Sequence, residues 1–370
     1  MTPYGAPGVP GAAERTGRLG GELGELALRL IRMPSVSGSE AAVADFVEER
    51  LRRLGFFEVL RLGDAVVARS DFGRDRRVLL AGHLDTVPDT VPPQPAELAD
   101  GAVTGRGAVD MKGGLAVLLR LAEHAVRGAE HDCTLVFYDQ EEVGSHRSGM
   151  HRLSRLHPEL LRADAAILLE PTGGWLEPGC QGSLRVGAAF HGRAAHTARP
   201  WQGVNAVEVA LPAVERCASH KPEVVTLDGL RYPQALQVVG VAAGGDSNVV
   251  PDRCVVHLNA RYAPNRTGDE VLAELRELLG PDARDLEVTL DSPAAPPSLD
   301  HPVLTRLSGL VGDRVRPKLG WTDVGRLAQL GIPAANFGPG DPELAHGPRE
   351  RVGLDELAEA YDVLEQVISG

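Results

Sequence analysis

From residue 22 to about residue 54 apolar side chains recur at the three-and-four spacing of amphipathic helices. The stretch MPSVSGSE interrupts that rhythm, and Ser37 or Ser39 within it could cap a second helix. A different pattern follows. Short, nearly continuous apolar runs lie at 65–68, 78–81, 135–138 and 165–169, each closed off by polar residues or glycine, as strands buried on both faces are. Between the second and third runs, MKGGLAVLLRLAEHAV has helical length and period. Strands alternating with helices predict an α/β sheet layered between helices, with any ligand bound beyond the carboxyl ends of the strands.

The pattern changes after Pro178. Segments SLRVGAAF (183–190), LQVVGVAA (236–243) and CVVHLNARY (254–262) predict strands, and helices are predicted at about 203–219 and 268–280. The Pro-rich joint DSPAAPPSLD (291–300) then leads back to helix and strand patterns that run to Gly370. The expected organisation is an α/β/α sandwich built from 21–178 and 294–370, with a smaller α+β domain, 179–293, inserted in it. The first twenty residues, MTPYGAPGVPGAAERTGRLG, predict a loose, disordered tail. They lack the basic start and apolar core of a secretory signal.

Bulk numbers narrow the function. A chain of 370 residues accommodates two domains, and 43% hydrophobic with 24% charged residues is ordinary for a globular protein. No apolar run approaches the length that spans a bilayer, so no membrane association is expected. The net charge of -13 argues against nucleic acid as a partner, because phosphate binding needs clustered Lys and Arg. Cys133, Cys180, Cys217 and Cys254 form no CxxC pair, which disfavours a thiolate zinc site or a disulfide framework and fits a reducing cytoplasm.

The chemistry gathers where apolar runs stop. VLLAGHLDTVP ends in His83 and Asp85, LVFYDQEEVGS in Glu141 and Glu142, and AAILLEPT in Glu170. GRGAVDMKGG sets Asp110 among glycines at a helix entry, and FGPGDPELAHGP carries His346 after the apolar run 332–337. Singly these are a surface histidine, a solvated corner or a helix cap. GRGAVDMKGG is not a phosphate loop, since no Lys-Ser or Lys-Thr follows its last glycine. Together they place imidazoles and carboxylates at the exits of buried strands, a donor set without thiolates that suits Zn²⁺, with Co²⁺ or Mn²⁺ as substitutes. Two histidines and three carboxylates exceed the needs of one open zinc site and match two ions.

In order and spacing, GHLDTVP, GRGAVDMKGG, YDQEEVGS, LEPT and the late His346 resemble the metal-site motifs of the M20 family of di-zinc amidohydrolases, from about residue 24 to the C-terminus. The resemblance implies that His83, Asp110 and Glu170 hold one zinc, and Glu142, Asp110 and His346 the other, with Asp110 bridging. It implies that Asp85 orients His83 and that Glu141 is the general base. The inserted domain resembles the family's lid, which also makes a homodimer interface. His196 in HGRAAHTARP would then support the oxyanion across that dimer, and Asn248 and Arg261 would bind a substrate carboxylate.

Three segments, GCQGSLRV (179–186), NARYAPNRT (259–267) and the long stretch 320–346 that begins GWTDVG, are similar to the succinyl-diaminopimelate desuccinylase branch of that family. This implies a small-molecule N-acyl amino acid substrate carrying several carboxylates, met by Arg261, Asn248 and Thr322. A deacetylase or carboxypeptidase of the same family is the alternative activity, and a non-catalytic binding protein on the same scaffold is the alternative class.

Overall fold

A computed structural model describes residues 12–144 and 146–369. The first helix, Ala12–Ile31, buries Leu23, Leu26, Ala27, Leu30 and Ile31, the i, i+3, i+4, i+7, i+8 stripe of an amphipathic helix. It packs against the helices Gly113–His124 and Leu354–Ser369. This corrects the expected tail: residues 12–20 are helical, and only 1–11 lie outside the described residues. Gly20, read as part of the tail, allows close packing instead. A Cβ on Gly20 would meet the Leu354 carbonyl oxygen at 2.5 Å. The next helix, Ala41–Arg53, has Glu40 at its N-cap without a side-chain cap bond, so neither Ser37 nor Ser39 caps it.

The central sheet has seven strands in the order Phe57–Leu62, Ala65–Ser70, Asp132–Tyr138, Arg77–His83, Ala165–Leu168, Ala334–Asn336, Glu177–Pro178. Strands Asp132–Tyr138, Arg77–His83, Ala165–Leu168 and Ala334–Asn336 run parallel, with Val78 opposite both Cys133 and Ala165. The two outer strands before them form an antiparallel hairpin. Residues 78–83 and 132–138 are buried throughout, which is why the runs read as continuous rather than alternating. The carboxyl ends of four neighbouring parallel strands therefore open on one edge of the sheet.

By its internal contacts the chain divides into two compact units, residues 1–177, 299–316 and 332–370, and residues 178–298 and 317–331. Unlike the single return expected near residue 294, a further segment, 317–331, rejoins the second unit and takes Thr322 with it. That unit holds a four-stranded antiparallel sheet in the order Ala235–Ala243, Arg253–Tyr262, Gly182–His191, Ala283–Ser292. Helices Ala206–Ser219 and Gly268–Leu279 cover it, burying Ala210, Ala213, Val271 and Leu275 on Leu184, Val186 and Val256. Thr267 and Glu270 close a reciprocal capping box at the start of the second of these helices. Among the described residues no helix is long and apolar enough to cross a membrane.

Candidate metal centre

His83 is the last residue of the strand Arg77–His83, and only 1% of it is exposed. Its Nδ1 faces the Asp85 carbonyl oxygen at 3.0 Å and the Asp85 carboxylate at 3.5 Å, which turns Nε2 toward Asp110 Oδ1 at 2.9 Å. Asp110 stands in a turn that needs its glycines: Gly107 has φ +81°, and a Cβ there would lie 2.6 Å from Thr86 Cγ2. The second oxygen of Asp110 lies 3.3 Å from His346 Nε2, which in turn lies 2.8 Å from Glu142 Oε1. Asp110 thus offers one carboxylate oxygen to each imidazole. The ligand atoms of His83, Asp110 and Glu142 all lie within 4.8 Å of one another, and Glu170, buried just past Ala165–Leu168, stands outside that tight group.

Asp85 has a second task. Fully buried, it accepts the backbone N–H of Glu141 at 2.9 Å on one oxygen, and that of Glu142 at 3.0 Å and the Ser37 hydroxyl at 2.6 Å on the other. Gln140, with φ +56°, turns the chain just before the pair and donates its N–H to Glu40 Oε1 at 3.1 Å. The same Glu40 oxygen accepts the N–H of Gly38 at 2.9 Å. Ser35 donates to the Leu84 carbonyl at 2.8 Å, so the loop 35–40 braces both the His83–Asp85 exit and the Glu141–Glu142 turn. Reading the sequence misses this, because Ser37 and Glu40 look like local helix punctuation.

The electrostatics match a cation site. Burial alone would lower the His83 pKa, but hydrogen bonds to Asp110 and Asp85 outweigh it and hold the pKa well above the usual range. Hydrogen bonds to Asp110 and Glu142 raise His346 to about 10. Asp110 feels burial raising its pKa, yet the bonds from His346 and His83 hold it well below the ordinary carboxylate range. The surrounding carboxylates thus favour positive charge at both imidazoles, as they would favour a cation. Two imidazoles and an oxygen-rich shell fit paired borderline divalent ions.

The remaining expected residues belong to the second unit. His196 is exposed, its Nδ1 accepts the Ala198 N–H at 3.0 Å, and its neighbour Thr197 donates to the Asn248 carbonyl at 3.0 Å. Arg261, half-buried on Arg253–Tyr262, has its pKa lowered by burial and by nearby Arg185. Thr322 is buried, with its carbonyl accepting the Gly325 N–H at 3.0 Å. Two further buried residues beside the first-unit cluster, Arg106 and Glu350, carry no signal in the sequence, since 244 positions separate them.

Residues 79–370 match the description of Peptidase family M20/M25/M40. A succinyl-diaminopimelate desuccinylase from Corynebacterium glutamicum is 42% identical over 354 residues, covering 93% of this chain and 95% of that protein. Among solved structures, the aminopeptidase PepT of Bacillus cereus superposes with a TM-score of 0.77 at 20% identity, over 95% of this chain and 98% of that one. The Bacillus subtilis YXEP protein, a dinuclear metal-binding peptidase of the M20 family, superposes with a TM-score of 0.67 at 15% identity, over 95% and 98%. These two likenesses concern the fold, while the first two matches concern descent. On the family match and the ordered metal-competent motifs, the chain belongs to peptidase family M20/M25/M40.

Proposed function

We propose that the protein is a di-zinc amidohydrolase that converts N-succinyl-LL-2,6-diaminopimelate to succinate and LL-diaminopimelate, a step of lysine and diaminopimelate biosynthesis. The observation that carries this reading is 42% identity, across 93% of the chain, to a succinyl-diaminopimelate desuccinylase. The His83–Asp110–His346–Glu142 constellation supports it with a place for the metals.

In this proposal His83, Asp110 and Glu170 hold one cation, and Glu142, Asp110 and His346 the other. Cations held there would supply the acidification of water and the polarisation of the amide carbonyl. The protein's own groups do the rest. Asp85 keeps the Nδ1 side of His83 engaged so that Nε2 is left for metal. Because Asp85 also holds the N–H groups of Glu141 and Glu142, the two carboxylates are fixed relative to the His83 ring. Glu141 takes a proton from the attacking water and delivers it to the departing amine nitrogen. Asn248, Arg261 and Thr322 bind substrate carboxylates, with Arg261 offering a bidentate fork. His196 supports the oxyanion across a homodimer built through the second unit. The four free, buried cysteines support a cytoplasmic location.

The test is succinate release from N-succinyl-LL-diaminopimelate by protein loaded with Zn²⁺ or Co²⁺, beside N-acetylornithine and dipeptides. Preferential desuccinylation supports the reading. No succinate release at any metal level, or faster turnover of N-acetylornithine, overturns it.

A further inference from the structure

His346 carries a backbone conformation that non-glycine residues adopt at a penalty, φ +62°. Something has to hold it there. Its N–H donates to Glu350 Oε1 at 3.2 Å, and its carbonyl accepts from Arg106 Nη2 at 3.4 Å. Arg106 and Glu350 are themselves hydrogen-bonded as an ion pair, with Glu350 fully buried and Arg106 9% exposed. Both polar groups of His346's main chain therefore grip the two ends of one buried salt bridge.

The same pair reaches the other half of the site. Glu350 Oε2 accepts the N–H of Gly107 at 2.8 Å, in the turn that presents Asp110. Glu350's own main chain is doubly bonded to Gln94, whose Nε2 donates to the Glu350 carbonyl at 2.7 Å and whose Oε1 accepts the Glu350 N–H at 3.1 Å. Gly105 donates to that carbonyl at 3.3 Å. Segments 94, 105–107 and 346–350, distant in sequence, are tied at one point.

We propose that Arg106 and Glu350 are positioning residues for the second cation: their ion pair holds His346 in its left-handed conformation and locks its loop to the turn bearing Asp110. The inference rests on the two-cation reading above. A buried pair that broke would leave an uncompensated charge, so the two residues act as a unit. Neither is among the residues assigned above to the cations or to the substrate. Their effect passes through the direction of the His346 ring.

The experiment is calorimetric titration of metal-free protein with Zn²⁺, with Co²⁺ absorption as a second readout, on wild type, Glu350→Gln, Arg106→Lys and each variant combined with His346→Ala. Wild type should bind two equivalents. Glu350→Gln should weaken one site by about 10–100-fold, the range for partners that orient ligands, and leave the other within about threefold. Arg106→Lys keeps the charge but loses the fork, so it should weaken the same site less and serves if Glu350→Gln does not fold. In the His346→Ala background neither change should weaken metal binding further, which a general structural role would not reproduce. Folded variants that bind two equivalents as tightly as wild type overturn the clamp, as does equal weakening of both sites. A wild type that binds fewer than two equivalents instead overturns the two-cation reading, and the clamp with it.

Discussion

At the scale of residues, buried Asp85 engages two parts of the candidate site, His83 chiefly through its backbone carbonyl and the Glu141–Glu142 turn through its carboxylate. Asp85 orients His83 and also fixes the main chain of Glu141 and Glu142, while Ser37 donates to it at 2.6 Å. Hydrogen bonds to charged groups are worth about 1.5–3 kcal/mol. Ser37→Ala should therefore lower stability by up to that amount and reduce kcat more than KM, checked by thermal denaturation and steady-state kinetics. The raised imidazole pKa values give a second outcome. His346 is raised to about 10 and His83 well above its usual range, so both must lose protons when metal binds. Metal affinity at the His346 site should rise with pH, by about tenfold per unit for each proton released, until pH passes about 10. Calorimetry in buffers of different ionisation enthalpy measures that release. Affinity independent of pH between 6 and 8 would contradict it. Of the candidate ligands, His83, Glu142 and Glu170 were legible because each follows the close of an apolar run, and Asp110 because it stands among glycines at a helix entry. Ser37, Glu40, Arg106 and Glu350 were not, because their partners lie in segments far away along the chain.

At the scale of elements, burial on both faces made the central strands legible. Arg77–His83 and Asp132–Tyr138 read as unbroken apolar runs for that reason. Two strands with a wet face did not announce themselves, although others such as Ala235–Ala243 did. Phe57–Leu62 is only half-buried, and Ala283–Ser292, an edge strand, is acidic and mostly exposed. The helix Ala12–Ile31 reaches further toward the N-terminus than its apolar pattern predicts, because Gly20 serves close packing rather than looseness. Gly20→Ala raises intrinsic helix propensity, yet its Cβ would sit 2.5 Å from the backbone carbonyl oxygen of Leu354, which cannot rotate away. Overpacking of this kind costs about 1–3 kcal/mol. The substitution should lower the melting temperature, and a rise would contradict the packing argument.

At the scale of the whole molecule, the insertion of a second unit was legible from the Pro-rich joint and the change in pattern, whereas the return of residues 317–331 to that unit was not. Nothing in the segment's composition marks which side it packs on; Trp321, donating to the Pro293 carbonyl at 2.9 Å, is one of the contacts that decide it. The proposed homodimer predicts a solution mass about twice 39.3 kDa by light scattering. A stable, active monomer would remove the role given to His196. In the proposed mechanism the adjacent glutamates do different work, Glu142 for metal and Glu141 for protons. The measurement that tests it most directly is the metal content and turnover of Glu141→Gln against wild type. The account predicts two bound equivalents and turnover reduced by about 10²–10⁴-fold, the contribution typical of a general base; near-normal turnover, or loss of a metal, would contradict it.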